Sequence, residues 1–312
     1  MSGPVGVLCG GPSGEREISI RSGQAVHEAL LSLGLPSVLL TLSADVEKIP
    51  DEIQKAGLDR VFIALHGTFG EDGAIQSMLE RMKIPYTGSS VEACRYGMDK
   101  LFSRRRWAAE NLPVPRWRLT QSSGLLEEAQ SLGFPVVIKP RSQGSSLGMS
   151  IVDSPEEIPQ AAQEAARFGS EILVEEYLPG PELTVGLLDD QPLPVIQVVP
   201  KRRFYDFVAK YTAGMTEYRV PAPIPDSVRT VVQDLAQRAH QALGCRSFSR
   251  VDMILTEGRG PFLLELNPIP GMTQTSLLPK AAAAAGISFA ELCRRMLASA
   301  QDPTPAEVHA RP

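Results

Sequence analysis

Two apolar segments near the end of the chain, SRVDMIL (249–255) and PFLLELN (261–267), constrain the fold more than any other feature. Both read as strands, yet both carry polar groups that an apolar core would not accept unpaired. Strand side chains alternate between faces, so Arg250 and Asp252 share one face. Glu265 and Asn267 share one likewise, which sends Leu264 and Leu266 to the other. If the two strands pair, all four polar groups converge on a single surface. The bland alternative is a solvated face with an incidental ion pair. Pro268 then stops the second strand: it has no N–H for the ladder, and it disfavours the helical region for Asn267, holding that residue extended.

Upstream, strands and helices alternate. VGVLC (5–9), SVLLTL (37–42) and DRVFIALHG (59–67) read as strands. Helical periodicity runs through ISIRSGQAVHEALLSLG after GGPSGE, and through DGAIQSMLERM (72–82). This β-α-β-β-α order predicts a parallel sheet covered by helices over roughly residues 1–95. The character changes at MDKLFSRRRWAAENL (98–112), a basic amphipathic helix. GFPVVIKP (133–140) and MSIV (149–152) read as strands around the loop RSQGSSLGMS, a hairpin with a mobile tip, and EILVEEYL (171–178) as a further strand. ELTVGLLDDQPLPVIQVVP (182–200) predicts antiparallel strands turning at Asp189-Asp190. Residues 201–219 show no clear period, and so long a loop in a compact domain is usually functional or mobile. DSVRTVVQDLAQRAHQALG (226–244) and SFAELCRRMLASA (288–300) predict helices; Ala281–Ala285 reads as low complexity.

Composition narrows the classes. With 312 residues, 43% hydrophobic and 21% charged, the chain has the make-up of a globular protein of two or three domains. A net charge of −5 gives no general reason to expect nucleic acid or an acidic membrane surface as a partner. The four cysteines are scattered without CxxC or zinc spacing, as for free thiols in a reducing compartment. The opening MSGPVGVLCGG reads as a first strand, not a signal peptide, and no apolar run approaches the ~18 residues of a membrane span. A cytoplasmic location is expected.

Several residues carry candidate chemistry. Asp252, Glu265 and Asn267 offer oxygen ligands of the kind that hold Mg²⁺ together with substrate phosphates. The Pro-Gly turn at Gly271 exposes N–H groups that could hold an oxyanion, although most such turns are only turns. Lys139 ends an apolar strand just before GSSLG, whose N–H groups and hydroxyls suit phosphate, and Lys100 is a second candidate cation. ILVEEYLPGPE (172–182) could be a plain linker or a hinge whose backbone reads a base edge while Glu182 accepts from ribose hydroxyls. No GxxxxGK[ST] occurs, and GGPSGE lacks the spacing of a dinucleotide fingerprint.

The stretches GGPSGEREISIRSG, ALHGTFGEDGAIQ, PYTGSS, MDK, IKPRSQGSSLGMS, FYDFVAKY, SRVDMIL and LLELNPIPGMTQTSLLP occur in that order. Together they resemble the D-alanine–D-alanine ligase family of the ATP-grasp superfamily over nearly the whole chain. The resemblance implies an α/β, three-domain ATP-grasp fold with an N-terminal parallel-sheet domain. The domains would be 1–96, binding substrate; 97–179, the central ATP-grasp domain; and 180–312, the catalytic domain with a mobile lid at about 201–219. It implies ATP as co-substrate, two Mg²⁺ ions (with Mn²⁺ as an alternative), two D-alanine subsites and a homodimer formed through the N-terminal domain.

The same resemblance assigns Asp252, Glu265 and Asn267 to the metal, and Lys100, Lys139 and Lys210 to the ATP phosphates. It puts Glu175, Tyr177, Leu178 and Glu182 around adenine and ribose. Glu15 would bind the ammonium of the first D-alanine with His66 nearby, and Ser276 the carboxylate of the second. Arg250 and Gly271 would stabilise the tetrahedral oxyanion, while Glu15, Ser145 and Tyr211 resemble a hydrogen-bonded trio joining N-terminal domain, serine loop and lid. The chain departs from the common pattern at Pro268, at Ser142-Gln143 and at Glu176. Three other readings stay open: a D-alanine–D-lactate ligase on the same fold, a non-catalytic nucleotide-binding module, and, on GGPSGE alone, an NAD-dependent oxidoreductase.

Overall fold

The computed structural model describes residues 4–206, 209–210, 212 and 214–300. The first sheet is parallel, in the order β2-β1-β3, from β1 (Val5–Gly10), β2 (Ser37–Leu42) and β3 (Arg60–Ile63). Parallel neighbours need crossovers. Helix α1 (Arg16–Ser32) supplies one and α2 (Ile49–Ala56) the other. The second corrects the expected β-β step: Pro at its start, Asp51 and Glu52 in its first turn and a left-handed Gly57 at its end mark α2 as a helix. The strand expected over 59–67 stops at Ile63, and its last bond to β1 is from Ala64 N to Leu8 O at 2.9 Å. Helices α3 (Ala74–Met82) and α4 (Val91–Met98) follow.

The helix expected over 98–112 is split from α4 at Asp99 and spans α5 (Lys100–Ala109). Asp99 caps it, accepting from Phe102 N at 3.1 Å. A second sheet, antiparallel, has the order β4-β7-β5-β6 from β4 (Trp117–Thr120), β5 (Val136–Pro140), β6 (Ser150–Val152) and β7 (Ile172–Glu176). Helices α6 (Leu125–Leu132) and α7 (Ile158–Ala166) pack on it, and their core of Leu125, Ile138, Ile158 and Val174 is its own. The β5–β6 pair is the expected hairpin.

The third sheet has the order β11-β10-β8-β12-β13, with β9 on β8. It contains β8 (Glu182–Leu188), β9 (Gln191–Pro192), β10 (Ile196–Pro200), β11 (Thr216–Arg219), β12 (Phe248–Thr256) and β13 (Gly260–Asn267). Asp189 and Asp190 make the β8–β9 turn with φ of 51° and 60°, the left-handed pair that a two-residue hairpin requires. β11 corrects the expectation of a structureless 201–219: Thr216–Arg219 pairs antiparallel with β10. Helix α8 (Asp226–Ala242) covers one face. The alanine run lies in a helix, α9 (Leu277–Ala284), which with α10 (Phe289–Ala298) packs against residues of both the first and third sheets in one continuous core.

Candidate active site

β12 and β13 pair in the register Arg250↔Asn267 and Asp252↔Glu265, so the four polar residues do meet. The register then shifts: Met253 pairs with Leu263, which leaves Leu264 as the extra residue of a β-bulge. Leu263 and Leu266 both enter the core, three residues apart. Leu264 does not share the face of Leu266, contrary to strict alternation; it turns with Glu265 toward a pocket.

Two adjoining pockets collect the candidates. The first, of about 450 Å³, is lined by Glu15, His66, Ser145, Arg250, Asn267, Gly271 and Ser276. The second, narrower at about 130 Å³, is lined by Lys139, Glu175, Tyr177, Leu178, Glu182 and Asp252. Lys100, Lys210 and Glu265 line both. Every candidate named from the sequence therefore lies on one cleft except Tyr211, which is outside the described residues.

Each side chain has a local reason for its position. Glu15 stands at the N-terminus of α1, and its carboxylate accepts from Ser145 Oγ at 2.5 Å. Gly67, with φ +68°, lets the Glu15 carboxylate lie close: a Cβ there would come 2.7 Å from Oε2. Ser145 and Ser146 sit at the hairpin tip with φ of 52° and 57°, a strained conformation for residues with a Cβ. Ser146 Oγ donates to Tyr205 O at 3.1 Å, so the serine loop touches the segment after β10. His66 is buried between Ser22 Oγ at 2.9 Å and Glu71 at 3.5 Å. Met272 N, beside Gly271, donates to the same Ser22 hydroxyl at 3.3 Å. Sequence reasoning passed over Ser22 and Glu71, which the i, i+3 spacing of α1 and the HGTFGE stretch place near the cleft.

The electrostatics are those of a site for anions. Burial pulls Lys100 down to about 8, and it donates to Gln143 O. Lys210 is 3.8 Å from Glu265. Burial works to raise the Glu265 carboxyl, but Lys210, Lys100, Arg250 and Lys139 outweigh it and hold it down at about 2. Burial, then the carboxylate of Asp252, push Glu182 up to about 8. Asp252 accepts from Arg250 Nη2 at 2.8 Å and from Thr184 Oγ1 at 2.5 Å. Glu175 lines the pocket, but both its oxygens are taken by cations: Arg104 Nε at 2.7 Å and Lys139 Nζ at 2.7 Å. Arg104, 0% exposed, escaped the sequence reading within the run RRR, although Leu101 and Trp107 at i−3 and i+3 mark its face as buried.

Among the described residues no group of three or more His, Cys, Asp or Glu could cage a metal ion. Two carboxylates and the amide of Asn267 are instead a donor set that fits Mg²⁺ completed by phosphate oxygens and water.

Comparison with known proteins agrees with this geometry. The family described as "D-ala D-ala ligase C-terminus" matches residues 107–298, and "D-ala D-ala ligase N-terminus" matches residues 40–89. The chain is 45% identical over 299 residues to D-alanine–D-alanine ligase of Geotalea uraniireducens, covering 95% of each chain. It is 45% identical over 298 residues to that of Trichlorobacter lovleyi, covering 95% of this chain and 94% of the other. Among solved structures, D-alanine–D-alanine ligase from Bacillus anthracis superposes with a TM-score of 0.85 at 34% identity, covering 96% and 97% of the two chains. The same enzyme complexed with ATP gives 0.83 at 32% identity, with the same coverage. With both halves of the family matched and relatives this similar over almost its whole length, the chain belongs to the D-alanine–D-alanine ligase family.

Proposed function

We propose that the chain joins two D-alanines into D-alanyl-D-alanine at the expense of ATP, for peptidoglycan precursor synthesis. One observation carries this: a pocket with acid, serine and arginine adjoins a second, apolar-walled pocket, and Lys100, Lys210 and Glu265 stand on their shared border. The relatives bear the name of this ligase, and the Bacillus anthracis neighbour was solved with ATP. The second pocket takes ATP: Tyr177 and Leu178 wall the base, Glu182 accepts from the ribose, and Lys100, Lys139 and Lys210 meet the phosphates. Asp252, Glu265 and Asn267 hold the two Mg²⁺, or Mn²⁺, which supply charge neutralisation on the phosphate oxygens when bound.

Glu15 receives the ammonium of the first D-alanine, next to His66. The carboxylate oxygen of that D-alanine attacks the γ-phosphorus of ATP; ADP leaves, and D-alanyl phosphate forms. The lysines neutralise charge spread over the transferring group. The amine of the second D-alanine, held by its carboxylate at Ser276, attacks the activated carbonyl. Arg250 and the Gly271 N–H stabilise the oxyanion, which collapses with loss of phosphate and a proton. Ser145, with Glu15 and Tyr211, keeps the cleft shut against water.

The three sheets, over 5–63, 117–176 and 182–267, support domains at 1–96, 97–179 and 180–312, with the lid at about 201–219 ending in β11. Exposed Leu31, Leu33, Val38 and Val46 on the first domain support a homodimer through it. Among the described residues no helix is long and apolar enough to cross a membrane. The use of ATP supports a cytoplasmic enzyme.

The protein with ATP, Mg²⁺ and equal D-alanine, D-lactate and D-serine at near-neutral pH is expected to release one phosphate per D-alanyl-D-alanine. No phosphate above a D-alanine-free control rejects the reading. A preference for D-lactate would assign a depsipeptide ligase instead.

A further inference from the structure

Arg104 is among the largest fully buried side chains, yet it does not line the nucleotide pocket. It stands behind the pocket wall on α5. Nε donates to Glu175 Oε1 at 2.7 Å, and Nη2 donates to the carbonyl of Leu264 at 2.5 Å. Leu264 is the bulged residue of β13, so a single guanidinium ties together α5, the end of β7 and the bulge. Its third nitrogen, Nη1, is buried without a hydrogen-bond partner among the described residues. An unsatisfied buried donor is a cost to stability, and such costs concentrate where function requires them.

The other oxygen of Glu175 faces the pocket side and accepts from Lys139 Nζ at 2.7 Å. Lys139 thus has two claims on it: the buried carboxylate, and the nucleotide phosphates assigned to it above. Without a second cation, moving Lys139 to a phosphate would strand Glu175 as a lone buried anion, which is strongly unfavourable. Arg104 is that second cation, and it is permanently charged.

We infer that Arg104 is a positioning residue for nucleotide binding: it is the standing counter-ion of Glu175, which frees Lys139 to exchange the carboxylate for ATP phosphate, and it fixes the Leu264 wall. This rests on the second pocket being the ATP site. A lysine would supply the charge but not the fork, because an ammonium cannot span Glu175 and the Leu264 carbonyl in the same geometry.

The test is ATP binding by titration calorimetry, with KM for ATP and for D-alanine, on full-length wild type, Arg104→Lys, Arg104→Met and Arg104→Met/Glu175→Gln. Arg104→Met is expected to weaken ATP about tenfold while KM for D-alanine moves less than about twofold. Arg104→Met/Glu175→Gln should regain a good part of that loss, since removing the carboxylate charge releases Lys139; a role in packing alone would give no such rescue. Folded Arg104→Met with wild-type ATP affinity overturns the inference, and so does a double variant weaker than the single one. If Arg104→Met does not fold, Arg104→Lys decides: about threefold or more weaker ATP binding is expected, and wild-type affinity overturns the inference. Wild type that binds no ATP would instead reject the assignment of the pocket.

Discussion

Pro268 follows the amide that we assign to the metal, and its surroundings explain why a ring is tolerated there. Asn267 Oδ1 accepts from Ile269 N at 2.9 Å, so the amide closes a turn across the proline. The ring rests against α4, where a Cβ on Gly97 would come 3.3 Å from Pro268 Cδ. Proline supplies the turn's backbone angle in advance. Pro268→Thr should therefore leave kcat within about twofold and cost about 0.4–1 kcal/mol of stability, through greater freedom of the unfolded chain. Steady-state kinetics and urea unfolding check both. A tenfold fall in kcat would show that the ring's contact with Gly97 holds the metal amide in place. At the same scale, Asp252 and Arg250 form an ion pair, but Asp252 is buried and Arg250 largely so, and both lie on the cleft.

At the scale of elements, α8 shows why a familiar constellation need not be a site. His240 Nδ1 lies 2.7 Å from Ser249 Oγ on β12, and Nε2 lies 3.0 Å from Asp190 in the β8–β9 turn. Those are the distances of a hydrolase triad, yet His240 and Ser249 are fully buried and line neither pocket. The trio pins a helix to a sheet. Burial lowers the His240 pKa below its ordinary 6.5, against the pull of Asp190. The unfolded chain therefore takes up the proton first, so this stabilisation is whole above about pH 6.5 and drains as pH falls below it, by at most about 1.4 kcal/mol per unit. His240→Asn should be less stable at pH 7.5, and the gap to wild type should narrow by pH 5.5. A constant or widening gap in denaturant titrations would show that His240 does not titrate as burial requires. Legibility divides along the same lines. The strands bearing Asp252 and Glu265 were readable because charge alternates with apolar residues. Helices α2 and α4 were missed although Pro50, Gly57 and the Ser90 cap signalled them, because eight residues give too little periodicity to see. The bulge at Leu264 leaves no mark in the sequence, since it is a choice of hydrogen-bond register rather than of residue type.

Across the whole molecule the packing is uneven, and this bears on how the cleft works. The first and third sheets share a core, with Val7 and Phe62 in the same cluster as Leu278 and Leu292. The middle sheet has its own core, built only from residues between 125 and 174. It meets its neighbours through polar contacts: Glu15–Ser145, Ser146 with Tyr205 O, Asp153–Arg203, and Glu176 with Arg259. Polar contacts can be broken into water and remade at small net cost, whereas a shared core cannot. We therefore propose the middle sheet as the part that opens the cleft for ATP, with the hydroxyl of Ser145 on Glu15 as a point of closure. Removing it should cost what a hydrogen bond to a charged group gives, about 1.5–3 kcal/mol, part of which the cleft recovers by resettling. Ser145→Ala is then expected to raise KM for the first D-alanine about tenfold. Because a looser cleft admits water to D-alanyl phosphate, it should also release more than one phosphate per dipeptide. Parallel assays of phosphate and D-alanyl-D-alanine measure the ratio. One-to-one stoichiometry with an unchanged KM would mean that the middle sheet is held shut by its other polar contacts, and that Ser145 contributes nothing to closure.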